Sequence, residues 1–421
     1  MPLPVLASDK TCTGCLACSN VCPAAAIVAA PRADGHTGIS VDADRCIRCG
    51  RCERACPVVN GRPYGRQEAP GAALAAWAND DAVRRRGATA GIFGALASQF
   101  LREAGGFVAG AVMDGLRCRY ILTSDLNDLP RLQGSKYMAS DPGDIYRRVL
   151  SALKEGGRVL FCGVPCHVAG LLNVIPPRLQ ERLFTVDLIC GGVSSPLLVD
   201  RFAEAHPDMT GIRSFRDKEE GWNPRGYRYR LQYIGADGSV IRMNPAVKNL
   251  VTDGFACELT DRHSCYRCRM AFPSRNSDLT IGDLWGDRRF TAQHRKGVSL
   301  VLVHSPKGEV LLTEAAIETA PVDPREALAG NSRIFNGDSA KRFFPERIFF
   351  PRLVRRLSFS ALERVYAGRR DGASPLWLPF WAWRLISFRL AGMLRKATDR
   401  RLISRIFTER HTSSLNDTSE K

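Results

Sequence analysis

Two runs of cysteine constrain this chain more than any other feature. Residues 12–23 read Cys12-x-x-Cys15-x-x-Cys18-x-x-x-Cys22-Pro23, and residues 46–57 repeat the pattern as Cys46-x-x-Cys49-x-x-Cys52-x-x-x-Cys56-Pro57. A cubane iron–sulfur cluster takes three thiolates from one tight loop and a fourth from a distance, and in doubled runs the fourth cysteine of each ligates the other cluster. The pattern therefore assigns Cys12, Cys15, Cys18 and Cys56 to one 4Fe–4S cluster, and Cys46, Cys49, Cys52 and Cys22 to a second. Each proline after the fourth cysteine turns the chain away. Structural zinc also takes four thiolates, but from two separated pairs rather than three within seven residues.

The opening MPLPVLASDK has neither the basic n-region nor the apolar h-region of a secretion signal. Fifteen cysteines in such a chain argue for metal ligation in a reducing compartment, not for a disulfide framework. The expected location is cytoplasmic, extending to the inner face of the membrane. A net charge of +17 favours anionic partners such as acidic redox proteins, phosphorylated cofactors or a lipid surface. No nucleic-acid-binding motif accompanies the charge, so no nucleic-acid partner is expected.

A length of 421 residues holds two or three domains. Residues 1–60 form the cysteine-dense module, and 61–71 are Gly- and Pro-rich and read as a linker. From 72 to 345 helical and strand patterns alternate. Helices are expected over 88–104, 145–153 and 196–205, and strands over 107–112, 158–161 and 183–189. A hairpin is expected over 227–243, turning at 235–238, with further strands after Leu279. Residues 346–421 form a basic tail. The fold class is α+β: an N-terminal dicluster ferredoxin-like module, an α/β domain with a mixed sheet, and a helical tail.

Seven cysteines lie outside the doubled run. Cys118 precedes a charged and aromatic strand and reads as a bystander. Cys265 and Cys268 form a short pair suited to a metal, and Cys162, Cys166, Cys190 and Cys257 are all available to complete a site. Spacing alone leaves a third cluster and an incidental or redox-active pair equally open.

Seven segments, in order, resemble the beta subunit of coenzyme F-420-reducing hydrogenases and formate dehydrogenases, a group of iron–sulfur flavoproteins. They are 88–96 (ATAGIFGAL), 134–141 (GSKYMASD), 159–171 (VLFCGVPCHVAGL), 186–193 (VDLICGGV), 215–222 (FRDKEEGW), 264–268 (SCYRC) and 277–286 (SDLTIGDLWG). The resemblance implies that 72–345 is an FAD-binding domain with one 4Fe–4S cluster beside it. By the family's pattern Cys166, Cys190, Cys265 and Cys268 hold that cluster, with Cys257 the rival of Cys166. The flavin contacts implied are Thr89, Ala90 and Gly91, then Ser135, Lys136 and Tyr137, then Gly163 and Pro165. Small residues opening a helix let amides approach a pyrophosphate, and Lys136 adds positive charge for phosphate or reduced flavin. His167 stands where the family has Gln and is the candidate proton donor. The implied function is an oxidoreductase passing single electrons from a redox partner protein or ferredoxin to FAD, then as a pair to an acceptor such as coenzyme F-420. The alternative is a non-catalytic subunit feeding a separate enzyme, one that is membrane-associated and modifies polysaccharide.

The tail holds 15 Lys and Arg against 6 Asp and Glu between residues 351 and 421. Residues 377–390 are apolar and aromatic but too interrupted to span a membrane. Residues 382–407 suit an amphipathic helix, either packed on the protein's own surface or lying on anionic lipid as a peripheral contact. Beyond His411 the polar composition predicts disorder.

Overall fold

The computed structural model describes residues 2–218, 230–243, 249–339, 346–371, 389–390 and 392–408. Its centre is a nine-stranded mixed sheet. In spatial order the strands are Ile317–Pro321, Ala72–Ala78, Ser299–Val303, Leu279–Asp283, Leu183–Leu188, Arg158–Gly163, Gly106–Asp114, Arg117–Thr123 and Ser140–Asp141. The four from Leu279 to Gly106 run parallel, and the pairings of Ser299–Val303 and of Arg117–Thr123 with this group are antiparallel. Val108, Leu160, Val186, Leu279 and Val301 are fully buried. Such near-continuous apolar runs are what a parallel strand covered on both faces requires.

Helices cover both faces. Ile92–Arg102 packs Ile92, Leu96 and Phe100 on one side. Ile145–Lys154 and Pro165–Val174 pack Val149, Leu153, Val168 and Leu171 on the other. Helix signals place these elements to within a few residues of their sequence expectations. Of the expected hairpin, Gln232–Gly235 pairs with Val240–Arg242, and 227–229 lie outside the described residues.

The ferredoxin-type module has one antiparallel pair, Ile27–Pro31 with Thr37–Val41, and two five-residue helices, Ala17–Val21 and Arg51–Ala55. It packs on the sheet domain through the helix Pro165–Val174, where a Cβ on Gly170 would lie 3.2 Å from the Cys15 sulfur. Asn20 donates to the Gly143 carbonyl at 2.8 Å, Arg262 to Thr37 at 2.9 Å and Ser264 to Cys12 at 3.1 Å.

Residues 61–71, expected as a linker, are a packed strap. Tyr64 is buried and its hydroxyl donates to Asp187 at 2.7 Å, while Gly65–Arg66 pairs with Ser274–Arg275. Asp187 also meets Arg275 at 2.9 Å, with both side chains almost fully buried. The apolar body of Tyr64 and this buried ion pair outweigh the Gly/Pro content that signalled flexibility.

Described parts of the tail also pack on the domain. Phe350, Val354, Phe359 and Leu362 of the helices Glu346–Arg356 and Phe359–Asp371 are buried against the helix Leu197–Glu204 and its surroundings. Residues 392–408 are helical and bury Ile406 beside Leu284, Leu328 and Phe335, with Leu402, Ile403 and Phe407 at the margin. Arg395 donates to Ser332, and Asn336 to Asp399 at 2.9 Å. One face of this helix is thus packed on the protein's own surface. Residues 377–388 and the stretch after His411 lie outside the described residues. Among the described residues no helix is long and apolar enough to cross a membrane.

Candidate metal centres and cofactor cavity

Both cysteine loops use the same backbone device. Gly14 and Arg48 precede the second cysteine of each run, Leu16 and Gly50 follow it, and all four have positive φ: 72°, 57°, 55° and 67°. Left-handed residues on both sides of a cysteine turn successive amides inward, a nest for an anionic group. Leu16 and Arg48 adopt this region at about 1 kcal/mol or more for an L-residue, so the loop and not glycine imposes the shape. The helices Ala17–Val21 and Arg51–Ala55 then carry the third cysteine of each run. They end at Cys22 and Cys56, both extended as the following proline demands.

The fourth cysteines cross over. Cys15 and Cys18 lie in the field of Cys12 and Cys56, and burial pushes the Cys15 thiol up to about 11. Cys22, Cys46, Cys49 and Cys52 line one small cavity with Pro4, Ile47 and Arg48. The Ala26 amide donates to the Cys22 sulfur at 3.2 Å. The two groups differ in exposure: Cys12, Cys15, Cys18 and Cys56 are buried, whereas Cys22 and Cys46 are half-buried and Cys49 is exposed.

A third group of sulfurs is assembled from distant segments. Cys166 opens the helix after the strand Arg158–Gly163, and Cys190 follows the adjacent parallel strand Leu183–Leu188. Cys265 and Cys268 come from the loop around the short helix His263–Tyr266. Cys166 feels Cys190, Cys265, Cys268 and also Cys15. Burial, then neighbouring groups, push the Cys166 and Cys265 thiols well up, and Cys190 to about 11. Thiols so shifted stay protonated unless a metal takes the proton's place. Cys257 is elsewhere: its sulfur lies 3.8 Å from the Tyr366 hydroxyl. The Met270 amide donates to Cys268 at 3.4 Å.

Among the described residues no three of Cys, His, Asp or Glu are drawn together tightly enough for a single ion. A lone tetrahedral zinc, with bonds of about 2.3 Å, would need its sulfurs only about 4 Å apart. A cubane spreads its four thiolates around a larger body. The inward amides around Cys15 and Cys49, in the segment that carries the doubled cysteine run, fit iron–sulfur clusters.

Two arginines flank the sulfurs. Arg262 is buried, with its guanidinium carbon 2.7 Å from where a Cβ on Gly14 would stand, so a side chain there would displace the guanidinium in addition to meeting the positive φ. Arg333 donates to the Cys265 carbonyl at 3.0 Å and to Gly191 at 3.3 Å, beside Cys190 and Cys268.

Beyond the third group opens a cavity of about 490 Å³. It lies past the carboxyl ends of the parallel strands, against Gly163, Cys190 and Asp283, where open α/β sheets hold their ligands. Thr89 and Gly91 line it at the start of the helix Ile92–Arg102, whose Gly91 N-cap has no side-chain cap. Those free amides suit a pyrophosphate. Ser135, Lys136, Tyr137 and Gly163 also line it, while Ala90 and Pro165 do not. Tyr137 stacks on Phe255 with centroids 4.1 Å apart, giving the wall an aromatic plane. The volume and lining are of the size and kind that take an aromatic dinucleotide.

Lys136 is engaged locally. Its ammonium donates to the carbonyls of Arg131, Leu132, Gln133 and Gly134 at 2.8–3.2 Å, closing the helix Leu129–Leu132. Burial lowers it to about 8. His167 does not line the cavity. It is buried, with Nδ1 3.1 Å from the hydroxyl of Tyr120, which does line it. Burial and then Arg262 hold the ring neutral, at about 3. The cavity's strongest charges came from residues not singled out in the sequence. Arg216 meets Asp283 in a two-pronged pair at 3.0 and 3.3 Å, and Arg333 and Arg395 reach the lining. Arg216 and Asp283 fall inside quoted motifs, so that signal was present. Arg333 lies outside all seven.

Residues 156–324 match the family described as the C terminus of the coenzyme F420 hydrogenase/dehydrogenase beta subunit, and residues 11–60 match the 4Fe-4S dicluster domain. No curated protein matches the chain. A similar solved chain belongs to the F420-reducing NiFe hydrogenase complex of Methanosarcina barkeri, in a xenon-derivatised form. It is 16% identical, with a TM-score of 0.43, over 66% of this chain and 92% of that one.

Proposed function

We propose that this chain is an iron–sulfur flavoprotein oxidoreductase of the coenzyme F420 hydrogenase/dehydrogenase beta-subunit type, on the match of residues 156–324 to the C terminus of that family and of residues 11–60 to the 4Fe-4S dicluster domain. Cys12, Cys15, Cys18 and Cys56 hold one cluster, Cys22, Cys46, Cys49 and Cys52 a second, and Cys166, Cys190, Cys265 and Cys268 a third. FAD occupies the cavity beside Cys190, and the two-electron acceptor is of the coenzyme F420 type. Bound there, the clusters exchange single electrons and the flavin exchanges pairs.

One observation carries this reading: the third sulfur group adjoins both neighbours, with Cys166 in the field of Cys15 and Cys190 in the cavity wall. The chain's own residues supply the rest. The uncapped amides after Gly91 receive phosphate, the Tyr137–Phe255 stack offers a plane to the ring system, and the Arg216–Asp283 pair holds the wall rigid. Tyr120, hydrogen-bonded to His167, lines the cavity, so His167 acts by orienting it.

Anaerobic purification with iron, sulfide and flavin quantified per chain tests the proposal. About twelve irons and one FAD are expected, with reduction of coenzyme F420 assayed next. About eight irons and no flavin would refute it and leave a ferredoxin-type relay.

A further inference from the structure

We propose that the surface around Cys49 is the docking site for a small acidic one-electron carrier protein, through which electrons enter or leave the chain. This rests on the reading that the eight N-terminal cysteines hold clusters, and adds the partner's class and its place of contact.

The two N-terminal sulfur groups are not equivalent. The group at Cys12, Cys15, Cys18 and Cys56 is buried and adjoins the Cys166 group, so it faces the interior. The group at Cys22, Cys46, Cys49 and Cys52 has an exposed member and lies at the far end of the row. Electron tunnelling falls steeply with distance, so a protein carrier exchanges electrons where a cluster reaches the surface.

That surface has the makeup of a transient interface. Ile47 is 65% exposed and Val5 71% exposed, with Leu3 exposed beside them, and Ile47 lines the sulfur cavity together with Pro4. Among the described residues, five of the twelve large exposed apolar side chains fall in residues 3–59, which concentrates bare apolar surface on this module. Arg45, Arg48 and Arg51 are exposed in the same loop, and none forms an ion pair among the described residues. Arg54 differs: it donates to the Cys49 carbonyl at 3.2 Å and serves the loop. Against these stand Asp42, which caps its own turn, Asp44, and Glu53, which accepts from the Val5 amide. An apolar centre in a basic rim is complementary to an acidic patch. Such a rim steers encounter and sets salt dependence more than it sets final affinity. One electron crosses: the carrier loses it, the chain gains it, and no proton or bond is involved; the reverse direction balances identically.

The test uses the anaerobically prepared holoprotein and Arg45→Glu/Arg51→Glu, which leaves the left-handed Arg48 backbone untouched. The probe is an acidic plant-type 2Fe–2S ferredoxin. Its dissociation constant is measured by calorimetry at low and high ionic strength, and iron content confirms that clusters are retained. The wild type should bind, and weaken steeply with salt. The double variant should bind about tenfold or more weaker at low salt and lose most of the salt dependence. Its bleaching by methyl viologen radical, a small cation, should be as fast as the wild type's. Equal binding by the variant, no binding by the wild type, or loss of binding on Arg400→Glu/Arg401→Glu in the tail would overturn the proposal. Association of the wild type with anionic vesicles through Arg45 and Arg51, without ferredoxin binding, would overturn it too. Binding does not depend on flavin, so a chain found to lack FAD would fail the oxidoreductase reading while leaving this test intact.

Discussion

Replacing Arg333 by Gln should make the reduction potential of the proposed third cluster markedly more negative. Arg333 lines the cavity near Cys190, Cys265 and Cys268, anchored by its bonds to the carbonyls of Cys265, Gly191 and Gly337. A reduced cluster gains one negative charge, and a guanidinium nearby favours that state. At a separation of about 6 Å and an effective dielectric constant near 20, one unit charge is worth about 3 kcal/mol. For a one-electron couple about 1.4 kcal/mol corresponds to 59 mV, giving roughly 120 mV. The open mouth of the cavity admits solvent and reduces this to about 60–120 mV. An anaerobic redox titration of the holoprotein followed by electron paramagnetic resonance reads the shift. Arg333→Lys should recover most of it, because the charge remains while the forked hydrogen bonds are lost. A shift below about 15 mV with cluster content intact, or a shift to more positive potential, would refute the electrostatic role.

Cys166→Ser should lower the iron content by about four per chain, and Cys257→Ser should not, as measured by iron and sulfide analysis. Asp187→Ala should destabilise the fold by about 3–5 kcal/mol by leaving Arg275 buried and unpaired, read as the midpoint of denaturant unfolding. Tyr64→Phe should cost only about 1–2 kcal/mol. His36 is buried, with Nε2 2.9 Å from the Thr260 carbonyl, and burial followed by the Arg262 charge lowers it to about 4. The unfolded chain, with an ordinary histidine, binds the proton first. Stability is therefore retained above about pH 6.5 and is lost as the pH falls toward 4, up to about 3 kcal/mol. His36→Gln should make the loss of stability across that window smaller, the buried His167 and His304 supplying the remainder, and unchanged pH dependence would refute it.

The sequence alone determined the two N-terminal sulfur groups, because three ligands of each lie within seven residues and the doubled run names the crossing fourth. It also determined most strands and helices of the α/β region, since periodicity and Gly stops act locally. Only the tertiary structure brings Cys166, and not Cys257, beside Cys190, Cys265 and Cys268. Neighbouring parallel strands end side by side and deliver Cys166 and Cys190 to the same place, while Cys257 ends a helix that faces Tyr366. The same holds for Lys136, whose charge suggested a phosphate contact but whose ammonium is taken by four carbonyls of the preceding turn. Arg333 had no pattern to betray it, since its position matters only once the chain from 265 to 333 closes on itself. The strap at 61–71 and the tail helix over 392–408 teach the same lesson. Composition predicts what a segment would do in water, whereas the partner surface that buries Tyr64 and Ile406 exists only after the rest of the chain has folded.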